Sequence, residues 1–245
     1  MVIQSTSNER IKKFAKLKQK KYRDEEGLFI VESIDLVNAA LNRKVVKTIL
    51  TTDEKYINND VEVIYVTDLI IEKLSSTSSP QGIIAVCEKF HNINNYDDKV
   101  MILDGIQDPS NAGAISRSCL SFGYNTLILS SSSVDVYNDK FLRSSKGANF
   151  ELNIIQDDLK KVYTKLKKDG YCIISSALDN SVRLPIKANN EKIALVVGNE
   201  GNGISKVTLD NSDYVVRIDM SDKMESLNVG VAASILMYTF SKYSK

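Results

Sequence analysis

Histidine is almost missing from this chain: one residue, His91, in 245, beside three prolines and three cysteines. A single imidazole leaves no multi-histidine metal site and argues against a Ser-His-Asp triad. The cysteines, Cys87, Cys119 and Cys172, lie far apart with no CxxC pair, so they read as buried or incidental thiols in a reducing compartment. No metal is expected. The longest apolar stretch near the C-terminus, VGVAASILMYTF (229–240), falls short of the roughly 20 residues a membrane span needs. The opening MVIQSTSNERIKKF has no apolar core of a secretory signal, so the expectation is a cytoplasmic protein without membrane association. There is also no GxxxxGK[ST], which sets aside a P-loop NTPase.

Charge of one sign is scarce overall, with a formal net of +1, but it is unevenly spread. Residues 1–23 carry Arg10, Lys12, Lys13, Lys16, Lys18, Lys20, Lys21 and Arg23 against Glu9 alone, and the remainder is net acidic. A basic first helix on a mildly acidic body suits an arm that docks on RNA or DNA. Arg10, Lys12, Lys13, Lys16 and Lys20 are its candidate contacts. A merely solvated helix face is the competing reading.

The first ninety residues alternate between helix and strand. SNERIKKFAKLKQKKYR (7–23) reads as one helix capped by Ser7 or Asn8, GLFIVE as a strand and IDLVNAALNR as a helix. VVKTILTT, VEVIYV and QGIIAVCEKF read as further strands, with TDLIIEKLSS a short helix among them. This predicts a compact α/β domain over 1–90, followed by a polar, aperiodic linker at 91–98. From residue 99 to 245 the βα alternation is clearer. Strands are expected at 100–104, 126–130, 150–155, 171–176, 193–197 and 214–218, and a last helix at 226–240. The fold class is therefore α/β with a mostly parallel sheet, in which ligands bind beyond the carboxyl ends of the strands.

Three loops follow apolar strands directly. In DGIQDPSNAGAISRS (104–118), Pro109 and Ser110 suit a turn, Asn111 a cap on the next helix, and Arg117 lies six residues further on. LVVGNEGNGIS (195–205) has the small residues of a phosphate cradle, but Glu200 stands in it without a lysine. Its spacing is GxxGxG on a late strand, unlike a dinucleotide fingerprint. In IDMSDKMESLNVG (218–230), Ser226 and Asn228 open the last helix. Each feature alone is explained by capping or a tight turn. Their joint placement at the strand ends of one domain points to a ligand site.

Taken together, DPSNAGAISRSCLSFG, LVVGNEGNGIS and IDMSDKMESLNVGVAASILMY resemble the three signature motifs of the SpoU (TrmH-like) RNA ribose 2′-O-methyltransferases. DVYNDKFLRSSKGANFEL (135–152) is similar to that family's segment after its second strand. Residues 1–90 resemble the L30e-like substrate-binding domain that precedes it in many members. The resemblance implies a trefoil-knot (SPOUT) methyltransferase domain, S-adenosylmethionine as methyl donor, an RNA substrate and a homodimer. Ribosomal RNA is the favoured substrate, with transfer RNA or a non-catalytic RNA-binding role as alternatives. By motif matching, Gly198, Glu200, Gly201, Ile218, Met220, Leu227 and Asn228 belong to the cofactor pocket. Asn111, Arg117, Glu200, Ser226 and Asn228 match the family's active-site positions. The chain departs from the pattern at Asp219, where proline is usual, at Gly230, commonly serine, and at Ser33, where glycine is usual.

Overall fold

The structure, a computed structural model, describes residues 2–90, 95–179, 181–184 and 191–241. His91 and residues 91–94 of the expected linker lie outside the described residues, as do residues 242–245 of the expected second domain. Linker residues 95–98 belong to the second sheet's surroundings: Tyr171 donates to the carbonyl of Asp97 at 2.6 Å, and Ile193 N–H to that of Asp98 at 2.7 Å. The chain divides into two compact units, Met1–His91 with Asp135–Phe150, and Asn92–Val134 with Glu151–Lys245.

The first unit contains β1 (Val2–Ile3), α1 (Glu9–Lys16), α2 (Lys20–Glu26), β2 (Leu28–Glu32), α3 (Ile34–Asn42), β3 (Val46–Thr51), β4 (Glu62–Val66), α4 (Asp68–Leu74) and β5 (Ile83–Glu88). Its sheet runs β1-β4-β3-β5-β2, with β5 antiparallel to both neighbours and the other pairs parallel. The single helix expected over 7–23 is two. Asn8 caps α1 by accepting from Arg10 N–H at 2.9 Å, and the helix stops at Leu17. Arg23 turns back from α2 and donates to the carbonyls of Leu17 and Lys18 at 2.9 and 2.8 Å. Those carbonyls are orphaned by the break, and a buried guanidinium satisfies them. Ile11, Phe14 and Leu17 meanwhile pack with Ile64, Ile70 and Leu74 in the core.

The second unit begins with β6 (Lys99–Asp104), α5 (Pro109–Phe122) and β7 (Thr126–Ser130). The chain then makes an excursion carrying α6 (Asp139–Ser145) and α7 (Ala148–Glu151). It resumes with β8 (Asn153–Asp157), α8 (Leu159–Lys168), β9 (Cys172–Ser176), β10 (Val182–Arg183), β11 (Ile193–Gly198), α9 (Lys206–Asn211), β12 (Tyr214–Arg217) and α10 (Val229–Thr239). Seven strands form a wholly parallel sheet in the order β10-β12-β9-β11-β6-β7-β8. β11, late in sequence, inserts between β6 and β9. α10 then packs along α5: a side chain at Gly230 would meet Ala114, the Ser118 and Ser234 hydroxyls bond at 2.8 Å, and the Phe122 and Tyr238 rings meet edge-on at 5.8 Å. Small residues at four-residue steps let the two helices approach closely along that line.

The excursion at 135–150 lies within the second motif-bearing domain in sequence yet packs with the first unit. Tyr137 and Phe150 join Phe29 in an aromatic cluster, with ring centroids 4.7 and 6.4 Å from that of Phe29. Asp135 meets Arg23 at 2.6 Å, their side chains only 13% and 6% exposed, and Arg143 reaches Glu32 at 3.1 Å. The strand expected at 150–155 also starts later. α7 takes residues 148–151, and β8 follows at Asn153.

All three cysteines are buried free thiols, and burial pushes those of Cys87 and Cys119 upward, away from the reactive thiolate.

Candidate active site

Strands β12, β9 and β11 lie side by side, and the loops at their carboxyl ends enclose a cleft of about 590 Å³. That volume suits a small-molecule ligand of nucleoside size. Gly198, Glu200, Gly201, Ile218, Met220, Ser226, Leu227 and Asn228 all line it, so every residue expected of the cofactor pocket meets in one place. Ser176, Ala177 and Leu178, after β9, line it too and had no place among the expected residues. Their signal was available: YCIISSALD ends a neighbouring strand on small residues, but strand adjacency is not readable from one sequence. Arg217 and Glu225 are further unanticipated lining residues.

The glycine loop closes on itself. Asn199 and Gly203 exchange two backbone hydrogen bonds at 2.9 Å. The Asn199 side chain accepts from the N–H groups of Gly201 and Asn202 at 2.9 and 3.0 Å and donates to the Gly105 carbonyl at 2.8 Å. Backbone donors that would hold a phosphate are therefore already used. The closure also dictates glycine at 198. A Cβ there would sit 2.2–2.3 Å from the backbone of Gly203 and Ile204. Asp104, buried at the end of β6, anchors the loop's exit by accepting from Ser205 N–H and the Thr208 hydroxyl, both at 2.7 Å.

Asn111 is not the helix cap. Pro109 is the first residue of α5, and Asp108 caps it by accepting from Ser110 N–H at 2.8 Å. Proline at that position forfeits a donor that has no partner anyway, which places the cap one residue before it. The Asn111 amide is thereby free to donate to Glu200 at 3.0 Å, while its oxygen accepts from Asn228 at 3.0 Å. Asn228, not Ser226, caps α10, its oxygen accepting from Gly230 and Val231 N–H at 2.9 and 3.4 Å. This fixes every amide orientation: Asn228 must turn its oxygen to the helix, so its nitrogen faces Asn111, whose nitrogen then faces Glu200. Ser226 stands exposed beside them on the cleft wall.

Partial burial raises the Glu200 carboxyl, but hydrogen bonds from Asn111 and from the backbone outweigh it and leave the group below the ordinary glutamate range. The N–H groups of Gln107 and Asp108 approach Glu200 at 3.3 and 3.4 Å at the entry to α5, where a helix favours negative charge. Glu200 is a fixed anion at neutral pH. Leu178, Ile218, Met220 and Leu227 give the cleft an apolar wall of the kind that packs against a nucleobase. One guanidinium, Arg217, and two carboxylates, Glu200 and Glu225, line the same cleft. That set fits S-adenosylmethionine, which carries a carboxylate, an ammonium and a sulfonium. Among the described residues no three His, Cys, Asp or Glu side chains gather as a metal site, and no helix is long and apolar enough to cross a membrane.

Arg117 does not join the cluster. It lies exposed on α5, with no side-chain partner among the described residues. Six residues past Asn111 on a helix of 3.6 per turn, it projects from a different side. The five basic residues expected to contact RNA are mostly paired internally. Arg10 grips Glu62 through two bonds of 2.9 and 2.6 Å, Lys12 meets Glu9 at 2.8 Å, Lys13 meets Glu26 at 2.7 Å and Lys20 meets Asp24 at 3.0 Å. Lys16 lies over the Tyr22 ring at 5.4 Å. Asp219, in place of the usual proline, sits 3.5 Å from Arg183 and 3.8 Å from Arg217.

A cleft lined by acids and apolar side chains at the carboxyl ends of a parallel sheet is where an α/β enzyme holds a small ligand. Residues 98–238 match the SpoU rRNA methylase family, and residues 8–85 match the MRM3-like substrate-binding domain. The chain is 33% identical to the 23S rRNA (guanosine(2553)-2′-O)-methyltransferase RlmP of Bacillus subtilis, over 96% of this chain and 97% of that one. Its fold superposes on an AdoMet-bound rRNA methyltransferase from Sinorhizobium meliloti with a TM-score of 0.90, at 23% identity, covering 98% and 96% of the two chains. An RNA 2′-O ribose methyltransferase gives 0.82 at 27% identity, covering 98% and 97%. The chain belongs to the SpoU rRNA methylase family and is an RNA methyltransferase that uses S-adenosylmethionine.

Proposed function

We propose that this enzyme methylates a ribose 2′-hydroxyl of 23S ribosomal RNA, with residues 1–90 holding the RNA, 91–98 as linker and 99–245 as the catalytic domain. The observation that carries the reading is the Glu200–Asn111–Asn228 chain of hydrogen bonds on the cleft wall. End-to-end likeness to a 23S rRNA ribose methyltransferase favours that substrate over transfer RNA. S-adenosylmethionine supplies a methyl group already activated on sulfur. The protein's tasks are then to align the hydroxyl and to manage its proton. Glu200 complements the cofactor's positive charge. Asn111 and Ser226 present hydrogen-bonding atoms to the ribose. Arg117 has a guanidinium pKa above about 12, which makes it a poor base and a good bidentate clamp for the ribose and its adjacent phosphate. The same polar set argues against a purely RNA-binding role.

The active form in this reading is a homodimer. Val231, Ile235 and Tyr238 expose an apolar stripe on α10, at 48%, 36% and 50%. Arg117 precedes Ser118, whose hydroxyl meets Ser234 of α10 at 2.8 Å, and in this reading a second copy docked on the stripe brings Arg117 to the interface. The compartment is the cytoplasm, where ribosomal RNA and reduced thiols coexist.

Mass-spectrometric mapping of ribose methylation in ribosomal and transfer RNA from a deletion strain is the direct test. Loss of one 2′-O-methyl mark in 23S rRNA is expected. Loss confined to transfer RNA would replace the substrate, and no loss together with no calorimetric binding of S-adenosylmethionine would remove the enzyme reading. Arg117→Ala is expected to abolish transfer to RNA and leave cofactor affinity unchanged.

A further inference from the structure

Most candidate RNA contacts of α1 and α2 are paired with carboxylates, whereas, among the described residues, three lysines of α8 are not. In α1 and α2 the candidate RNA contacts are largely neutralised by the unit's own carboxylates. RNA docking there must displace Glu62 from Arg10 or Glu26 from Lys13. α8, LKKVYTKLKK, carries five lysines in ten residues. Its apolar side, Leu159, Val162, Tyr163 and Leu166, is buried in the core of the second unit. That burial forces Lys160, Lys161 and Lys168 outward, all exposed, and among the described residues none of the three has a carboxylate partner. Lys160, Lys161, Thr164, Lys165 and Lys168 line one shallow open groove; Lys165 lies over the Tyr96 ring at 3.9 Å, and Lys160 and Lys168 stand two turns apart along the groove.

The nearby acids do not quench this face. Asp158 is engaged as the cap of α8, accepting from Lys160 N–H at 2.7 Å. Asp157 accepts from Asp158 N–H at 2.7 Å, and Asp169 lies beyond the helix end at its C-cap. Lys167 is directed away, to Asn211 at 2.8 Å. The groove holds no apolar side chain that would seat in a lipid surface. An unpaired lysine releases condensed counterions when it meets a phosphate and gives up no internal partner, so these three yield the fullest electrostatic gain on RNA.

We propose that the Lys160, Lys161 and Lys168 face of α8 is a second RNA-binding surface, on the catalytic unit, which grips backbone phosphates of the substrate outside the methylated nucleotide. The inference rests on the enzyme acting on large structured RNA. Contacts of this kind position the strand and carry no base preference.

The test is filter binding of the full-length protein to an in vitro-transcribed 23S rRNA over a potassium chloride series. Lys160→Ala, Lys161→Ala and Lys168→Ala combined are expected to lower the slope of log affinity against log salt by about two, from roughly 0.7 per phosphate on single strands. Affinity at low salt should fall tenfold or more. Arginine at all three positions should restore the slope, and calorimetric affinity for S-adenosylmethionine should stay unchanged. An unchanged slope in the triple alanine variant overturns the proposal. So does equal loss in the arginine variant, which would mark a structural effect of α8. Failure of the wild type to methylate the transcript would instead overturn the 23S assignment, and the slope comparison would still judge α8, because backbone contacts do not depend on sequence.

Discussion

The Asn111 side chain donates to Glu200 at 3.0 Å while accepting from Asn228 at 3.0 Å, so one amide links all three signature motifs. Hydrogen bonds to the ionised form are what hold the Glu200 carboxyl down against partial burial. The sign follows directly. A carboxyl whose folded pKa lies below its unfolded value stabilises the fold fully above the ordinary glutamate range, and that contribution is lost as pH falls through the lowered value. Cofactor affinity measured by calorimetry should therefore show no Glu200 titration between about pH 5.5 and 8. Glu200→Gln should weaken binding about tenfold at every pH in that window, since the negative charge is lost and an amide nitrogen would face either the Gln107 N–H or the Asp108 and Asn111 donors. An affinity that rose with pH through 6 in the wild type, and not in Glu200→Gln, would contradict the assignment.

Gly198→Ala places a methyl group into the backbone of Gly203 and Ile204. Rigid main chain cannot step aside as a side-chain tip can, so the loop must open. The expected cost is about 1–3 kcal/mol, seen as lower thermal stability, together with at least a tenfold loss of S-adenosylmethionine affinity. Gly201→Ala is the control. The nearest atom to a Cβ there is Asn199 Oδ1 at 3.6 Å, an ordinary contact, and stability should change little.

Ser33 adopts φ 86° and ψ 147°, a region that only glycine enters without strain, and its hydroxyl makes no capping bond. Ser33→Gly should raise stability by about 1 kcal/mol in urea or thermal unfolding. A decrease would show that the serine hydroxyl contributes more than the strain costs.

Asp135→Ala removes the partner of a buried guanidinium. Arg23 would keep its two carbonyl acceptors but lose the carboxylate at 2.6 Å. An uncompensated buried charge costs about 3 kcal/mol or more, which equilibrium unfolding of the full chain would register. The double change Arg23→Met with Asp135→Leu should recover most of the loss, because apolar residues of similar volume remove the charge as well as its partner. Recovery failing entirely would indicate that the pair fixes the break between α1 and α2 and is not only an electrostatic element.

The sequence by itself determined a great deal. Short apolar runs alternating with amphipathic ones fixed the α/β class and most strands from β6 to β12, because burial on both faces of a parallel sheet leaves that pattern locally. The motif residues of the cleft were legible because three ordered motifs at strand ends resemble those of a known family; local chemistry alone explained Gly198 as a tight turn and Asn228 as a helix start. Tertiary structure alone decided the rest. The loop after β9 lines the cleft only because β9 lies between β11 and β12, and strand order depends on non-local pairing. The caps at Asp108 and Asn228 were displaced from the expected positions because several polar residues compete for each helix end. The distant partners decided which was released. Residues 135–150 pack with the first unit because Phe29, Arg23 and Glu32, more than a hundred residues earlier, hold them there. Charge gave the sharpest contrast. Composition placed the basic arm in α1 and α2, but Glu62, Glu26 and Asp24 fold against it. Lys160, Lys161 and Lys168 of α8 have no carboxylate partner among the described residues, and they are exposed because the helix's other face is core.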